Sequence, residues 1–249
     1  MDSLEVVRTS ATTVRAKAAA EGGMPEMEVR FSQFGTWYEI NSLWEGNFLE
    51  RIDPGAFAKT IEESRSSIKV LFNHGFDPQV GQKVLGNIES LSEEKDSPVG
   101  VVRLFDTSYV RDLLPGLEAG VYGSSMRMRV TRDEINNDPG ESAHNPKGLP
   151  ERTIKEVRLF EFGPVTFPAN PAATAGVRSA TDAYVEAMRA RDPQWVDEQA
   201  RARDALERTS SERTAGDAAN TPPPAPAESH PGGLTHAQRR ARLLQPESR

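Results

Sequence analysis

Aromatic side chains are confined to one stretch of this chain. Of ten Phe, three Trp and four Tyr residues, all but Tyr184 and Trp195 lie between Phe31 and Phe167. Large rings supply much of the buried area of a core, so the core of this chain belongs to that stretch. The crowding predicts one folded domain of roughly 140 to 150 residues, an ordinary domain size, with weakly structured ends. The reading by segment is a flexible N-terminal arm over 1–25, a folded domain over 26–178, a charged helical segment over 179–210 and a Pro-rich disordered tail with a basic end over 211–249.

Within the folded stretch the patterns are mostly those of short strands. EVRFSQF (28–34) alternates and then turns at Gly35 into TWYEI (36–40), which predicts a hairpin. Asp53-Pro54 reads as an N-cap and first helical position, with Phe57 and Ile61 one turn apart, so a short helix is expected over 54–65. IKVLF (68–72) is a continuous apolar run that predicts a buried strand, and His74 stands just past its end. GNIESL (86–91) and GVVRLF (100–105) flank a polar turn and predict a second hairpin. SYVRDLLPGLEA (108–119) reads as a helix stopped by Gly120. VYGSSMRMRVT (121–131) alternates, a polar loop follows over 132–152, and IKEVRLFEF (154–162) reads as a further strand. Strands without a βαβ rhythm imply a mainly β, α+β domain: an antiparallel sheet or barrel with a few helices around it. In 179–210 a thin apolar stripe (Tyr184, Met188, Trp195) suits a solvent-exposed or assembly-dependent helix.

Composition removes several functions. There is no cysteine, hence no disulfide framework, thiolate zinc site or Cys nucleophile. A net charge of -7 argues against nucleic-acid binding through a basic surface, and no apolar run approaches bilayer-spanning length. Phosphate-cradling, dinucleotide and HExxH signatures are missing, so neither a cofactor nor a metal is expected.

Three residues of the folded stretch can carry chemistry. His74 ends a strand, where reactive groups often stand, whereas His144 sits in the loop GESAHNPKG. Alternation in 121–131 places Tyr122, Ser124, Met126, Met128 and Val130 on one face and Ser125, Arg127, Arg129 and Thr131 on the other. Ser125 therefore points with arginines, and a serine nucleophile needs a base and a positive or N–H environment. Glu161 falls on a strand face with Val157 and Leu159, where a buried carboxylate requires a partner such as histidine. Each has a plainer reading as well: a structural imidazole, a strand serine beside a solvated basic edge, and an edge glutamate reaching water.

FLERIDPGAFAKTI, IKVLFNH, VYGSSMRMRV and VRLFEFGPVTFPANP, in this order and spacing, resemble the prohead (capsid maturation) serine proteases of tailed bacteriophages, over roughly residues 28–178. The resemblance implies a fold similar to the herpesvirus assemblin type, an antiparallel β-barrel surrounded by helices. It also implies a serine endopeptidase inside the assembling procapsid in the host cytoplasm, cutting the scaffold or the scaffolding segment of the major capsid protein, and itself. By position His74 would be the general base, Ser125 the nucleophile and Glu161 the third member. Arg127 would be an oxyanion candidate, with Ser124 the neighbouring alternative to Ser125. Self-association within the procapsid is compatible with this, while nucleic-acid and membrane partners are not expected. Residues 180–249 would then be a scaffold-binding or packaging segment removed by autocleavage, or an expendable tail. The competing reading is a non-enzymatic capsid-assembly module that keeps the fold.

Overall fold

A computed structural model describes residues 4–12, 14–17, 23–167 and 177–219. Two long strands form the spine, β9 (Gly123–Asn136) and β10 (Glu151–Val165), paired antiparallel from Asn136↔Glu151 to Gly123↔Val165. On the free edge of β9 lies β1 (Glu5–Ser10), followed by β11 (Val177–Ser179). The other edge of β10 takes β5 (Gly46–Ile52) and, further along, β6 (Lys69–Val70), both parallel to it; β4 (Tyr38–Ser42) closes that side. A second sheet runs β2-β3-β8-β7, made of Arg15–Lys17, Glu26–Arg30, Pro98–Leu104 and Gly86–Glu93.

One apolar cluster joins the two sheets. Met27, Val29 and Val102 of the smaller sheet meet Met126, Met128, Leu159 and Phe162 of the larger. Phe31 stacks on Phe162 at 4.8 Å and meets Phe57 edge-on at 5.6 Å, so rings from across the aromatic stretch meet in this core.

The helices are α1 (Ala58–Ser64), α2 (Ser108–Ala119), α3 (Thr181–Arg191) and α4 (Pro193–Ala219). α2 ends at Gly120 with φ 66°, the left-handed stop expected from its sequence. α1 begins later than Asp53-Pro54 suggests. Asp53 is drawn to Lys155 at 2.7 Å, and the Glu93 carboxylate instead accepts the free N–H groups of Gly55 and Phe57, both at 2.7 Å. The chain divides into two compact units, Met1–Glu207 and Arg208–Arg249; in the second, the described residues 208–219 are helical.

Several expectations are corrected. Residues 5–10, expected in a flexible arm, are buried throughout, because Val6 joins the core cluster, Val7 is covered on the opposite face, and β1 is paired on both edges. The hairpin across Gly35 does not form: its two runs lie in different sheets, β3 beside β8 and β4 beside β5, and Gly35 N–H bonds Ile52 O instead. IKVLF contributes only a two-residue strand, with Lys69 exposed. The loop expected over 132–152 shortens because β9 runs on to Asn136 and β10 starts at Glu151. By hydrogen-bond pairing the sheets are not closed into a barrel. The outer strands β4 and β11 approach through Ser179 Oγ, which donates to Glu45 at 2.6 Å, without a ladder between them. α3 is not free-standing: Thr181, Tyr184 and Val185 are buried, and the Thr181 hydroxyl accepts Val7 N–H at 3.0 Å. The Pro-Ala-Asn-Pro motif (168–171) and the Pro-rich, basic end from 220 onward lie outside the described residues.

Candidate active site

β9 sorts its two serines onto opposite faces. Ser124 Oγ lies 2.8 Å from both Thr12 Oγ1 and Arg30 O, on the core side with Met126 and Met128. Ser125 points the other way, fully buried, with Oγ 2.7 Å from His74 Nε2 and 3.0 Å from the Arg8 carbonyl of β1. The alternation in VYGSSMRMRVT therefore carries over directly into side-chain direction.

His74 is presented by a turn with unusual backbone. After β6 the chain enters a 3-10 turn, Asn73–Gly75, in which all three residues have positive φ, 46°, 56° and 74°. For Asn73 and His74 that region is sparsely populated and costs of order 1–3 kcal/mol per residue. Surrounding contacts hold the turn. Asn73 exchanges two hydrogen bonds with Thr166, Nδ2 to Oγ1 at 3.1 Å and Thr166 N to Oδ1 at 2.9 Å. Arg191 of α3 donates to Gly75 O at 3.0 Å. Tyr184 meets the imidazole edge-on at 5.8 Å, leaving the His74 side chain 11% exposed.

Glu161 reaches the site by a route that simple alternation misses. β10 is bulged between Leu159 and Glu161: Leu159 opposes Met128 and Phe162 opposes Met126, while Glu161 opposes Arg127. The extra residue, Phe160, turns Glu161 away from the face of Val157 and Leu159 onto the face of Ser125. This corrects the face expected for it. Its buried carboxylate finds the partner that burial demands: Oε1 lies 2.5 Å from His74 Nδ1.

Arg127 stands at the carboxylate end. Its Nε is 4.0 Å from Glu161 Oε1, its Nη1 donates to Glu5 at 2.6 Å, and its guanidinium lies over the rings of Phe160 and Tyr184. Among its described hydrogen bonds and ion pairs none is to Ser125. Burial opposes the Arg127 charge, but Tyr184, Glu5 and Glu161 facing it raise its pKa. Burial also pushes the Tyr184 hydroxyl up to about 12, against the pull of Arg127, so it stays neutral at ordinary pH. Beneath β1, Arg8 is wholly buried between Glu50 (2.6 Å) and Glu45 (2.7 Å), and Tyr38 donates to Glu50 at 2.8 Å. This network fixes the strand whose carbonyl touches Ser125.

A carboxylate, an imidazole and a hydroxyl thus lie in one line. With Nδ1–H donated to Glu161, Nε2 is the free lone pair that accepts the Ser125 proton. Such a line can turn a serine into a nucleophile. The family described as caudovirus prohead serine protease matches residues 11–187. This chain belongs to that family. It is a capsid maturation protease by that membership, and β1, with Glu5 and Arg8, lies just ahead of the matched residues. Among solved structures, this prohead protease is similar to the bacteriophage T4 capsid assembly protease, gp21, at 12% identity and a TM-score of 0.40, covering 66% of this chain and 98% of that one. No curated protein matches. No helix among the described residues is long and apolar enough to cross a membrane.

Glu5, Arg8, Tyr184 and Arg191 are residues that sequence reasoning left out of the site. EVVRTS carries the β-branched run of a strand, and that was the available signal for β1. Tyr184 shows in the sequence only as part of an apolar stripe and Arg191 not at all; both gain their place when α3 docks.

Proposed function

We propose that this prohead protease is a serine endopeptidase that cleaves the scaffold, or the scaffolding segment of the major capsid protein, inside the procapsid, and cleaves itself. Ser125 is the nucleophile, His74 the general base and Glu161 the group that orients and charges the imidazole. Ser125 Oγ attacks the scissile carbonyl carbon as its proton passes to His74 Nε2. The tetrahedral oxyanion collapses, the C–N bond breaks, and His74 returns the proton to the leaving amine. Water then enters by the same proton path and hydrolyses the acyl-enzyme. The observation carrying this reading is the alignment of Glu161, His74 and Ser125 at 2.5 and 2.7 Å.

The test is a mass spectrum of the full chain, co-expressed with coat and scaffold proteins, for wild type beside Ser125→Ala, Ser124→Ala and His74→Ala. Processing is expected in wild type and Ser124→Ala only. Processing that persists in Ser125→Ala and stops in Ser124→Ala overturns the nucleophile. If wild type cuts no capsid component and not itself, the non-enzymatic assembly module is the correct reading.

A further inference from the structure

Glu5 lies outside the triad yet touches its charge balance. Its Oε2 accepts from Arg127 Nη1 at 2.6 Å and its Oε1 from Arg129 Nη2 at 3.1 Å. Arg127 is thereby held with Nε 4.0 Å from the same Glu161 oxygen that receives His74 Nδ1 at 2.5 Å. A guanidinium is built to take a carboxylate with two parallel N–H donors. Arg127 is instead held by the carboxylate of Glu5 and lies over the rings of Phe160 and Tyr184 at 5.1 and 5.6 Å. β1 itself is anchored independently, since Glu5 N–H donates to Gln199 Oε1 at 3.0 Å.

We infer that Glu5 is a positioning residue of the serine centre: it tethers Arg127 so that the Glu161 oxygen stays with His74 rather than closing into an arginine pair. The inference rests on the Ser125–His74–Glu161 reading. It assigns Arg127 to the carboxylate end of the site instead of the oxyanion. The charged and titratable groups facing the His74–Glu161 pair are Glu5 of β1, Arg127 and Arg129 of β9, Tyr184 and Arg191 of α3, and Lys69, which pairs with Glu161 in the β6 register but is itself exposed. Of these, Glu5 is the carboxylate hydrogen-bonded to the arginine next to Glu161.

The sign of each change follows. Without the Glu5 charge, Arg127 moves onto Glu161 and the imidazolium loses its counter-charge, so the acid limb of the rate profile moves to lower pH. Without the Arg127 charge, two carboxylates are left facing the ring and the limb moves to higher pH. Removing both restores the balance.

The experiment uses the full chain and a fluorophosphonate probe, following the rate of labelling at Ser125 against pH, with the label located by mass spectrometry. Glu5→Gln is expected to move the acid limb down by about one pH unit and to slow labelling on the alkaline plateau roughly threefold. Arg127→Gln moves the limb up, Glu5→Asp leaves it in place, and the double variant brings it back toward wild type. Single variants that move the limb in the same direction, or not at all, overturn the inference. So does an Arg127→Gln plateau loss without a shift in the limb, which is the behaviour of an oxyanion donor. Should Glu5→Gln fail to fold, Glu5→Ala takes its place: a limb moved down supports the tether, and a limb that stays or moves up refutes it. A wild type that takes no label on Ser125 refutes the triad reading itself, and the tether with it.

Discussion

Replacing Gly163 by alanine should disturb the turn that carries His74 more than the fold. A Cβ at this position would lie 2.0 Å from the Leu71 carbonyl oxygen, where real contacts of this kind do not fall below 3.0 Å. The obstacle is backbone, so β6 and the residues after it must open from β10 by about 1 Å, the difference between those distances. Leu71 N–H, which donates to Phe162 O at 3.2 Å, is pulled with them. Overpacking and one weakened hydrogen bond together cost about 2–4 kcal/mol. Leu71 is three residues from His74, and a displacement of about 1 Å at a reacting group costs roughly a hundredfold in rate. Guanidinium unfolding would measure the first quantity and fluorophosphonate labelling of Ser125 the second. Gly35→Ala is the control. It meets nothing within 4 Å but carries a φ of 69°, so it loses about 1–2 kcal/mol through the backbone alone and leaves labelling intact. If Gly163→Ala slows labelling no more than Gly35→Ala does, β6–β10 contact does not set the position of His74.

Two further outcomes follow from other parts of the structure. Glu161→Gln keeps the shape and removes the charge, so Ser125 labelling should fall by roughly two orders of magnitude or more while a residual rate survives; an unchanged rate would remove Glu161 from the site. Burial pushes the Glu45 carboxyl up, but the charge and hydrogen bonds of Arg8 outweigh it and hold the group below its ordinary 4.5. Its stabilising contribution is therefore present above pH 4.5 and lost as pH falls through the lower folded value. Glu45→Gln leaves Arg8 with one fewer buried counter-charge and should cost about 3–5 kcal/mol near neutral pH. In denaturant melts from pH 6 to 3, the gap to wild type should narrow; a constant gap would refute the assignment.

Some of this site was legible in the sequence because it depends only on local alternation. Ser124 and Ser125 part onto opposite faces since a strand has period two, and no tertiary information is needed to say so. His74 was legible as a residue ending an apolar run, but its left-handed backbone was not, because Thr166 and Arg191 hold its neighbours Asn73 and Gly75 from 93 and 116 residues away. Glu161 was found by its burial and placed on the wrong face. The bulge at Phe160 arises from matching β10 to Met126 and Met128 of β9 at once, and a bulge is a property of two strands rather than of one. The hairpin at Gly35 failed for a related reason: alternation marks each run as a strand and says nothing of its partner. Glu5 escaped notice because its partner, Arg127, is 122 residues distant.

The pairing of β1 with β9 also bears on when the Ser125 site can be completed. β1 is synthesised first, yet its ladder runs from Glu5↔Arg129 to Ser10↔Ser124, so it waits unpaired until half the chain has been made. Contacts of such long sequence separation close slowly. His74, Ser125 and Glu161, with β1 against them, therefore come together only after the domain has collapsed around residues far apart in the chain. A chain stalled before residue 161 has no carboxylate to hold His74, so on the triad reading it carries no protease.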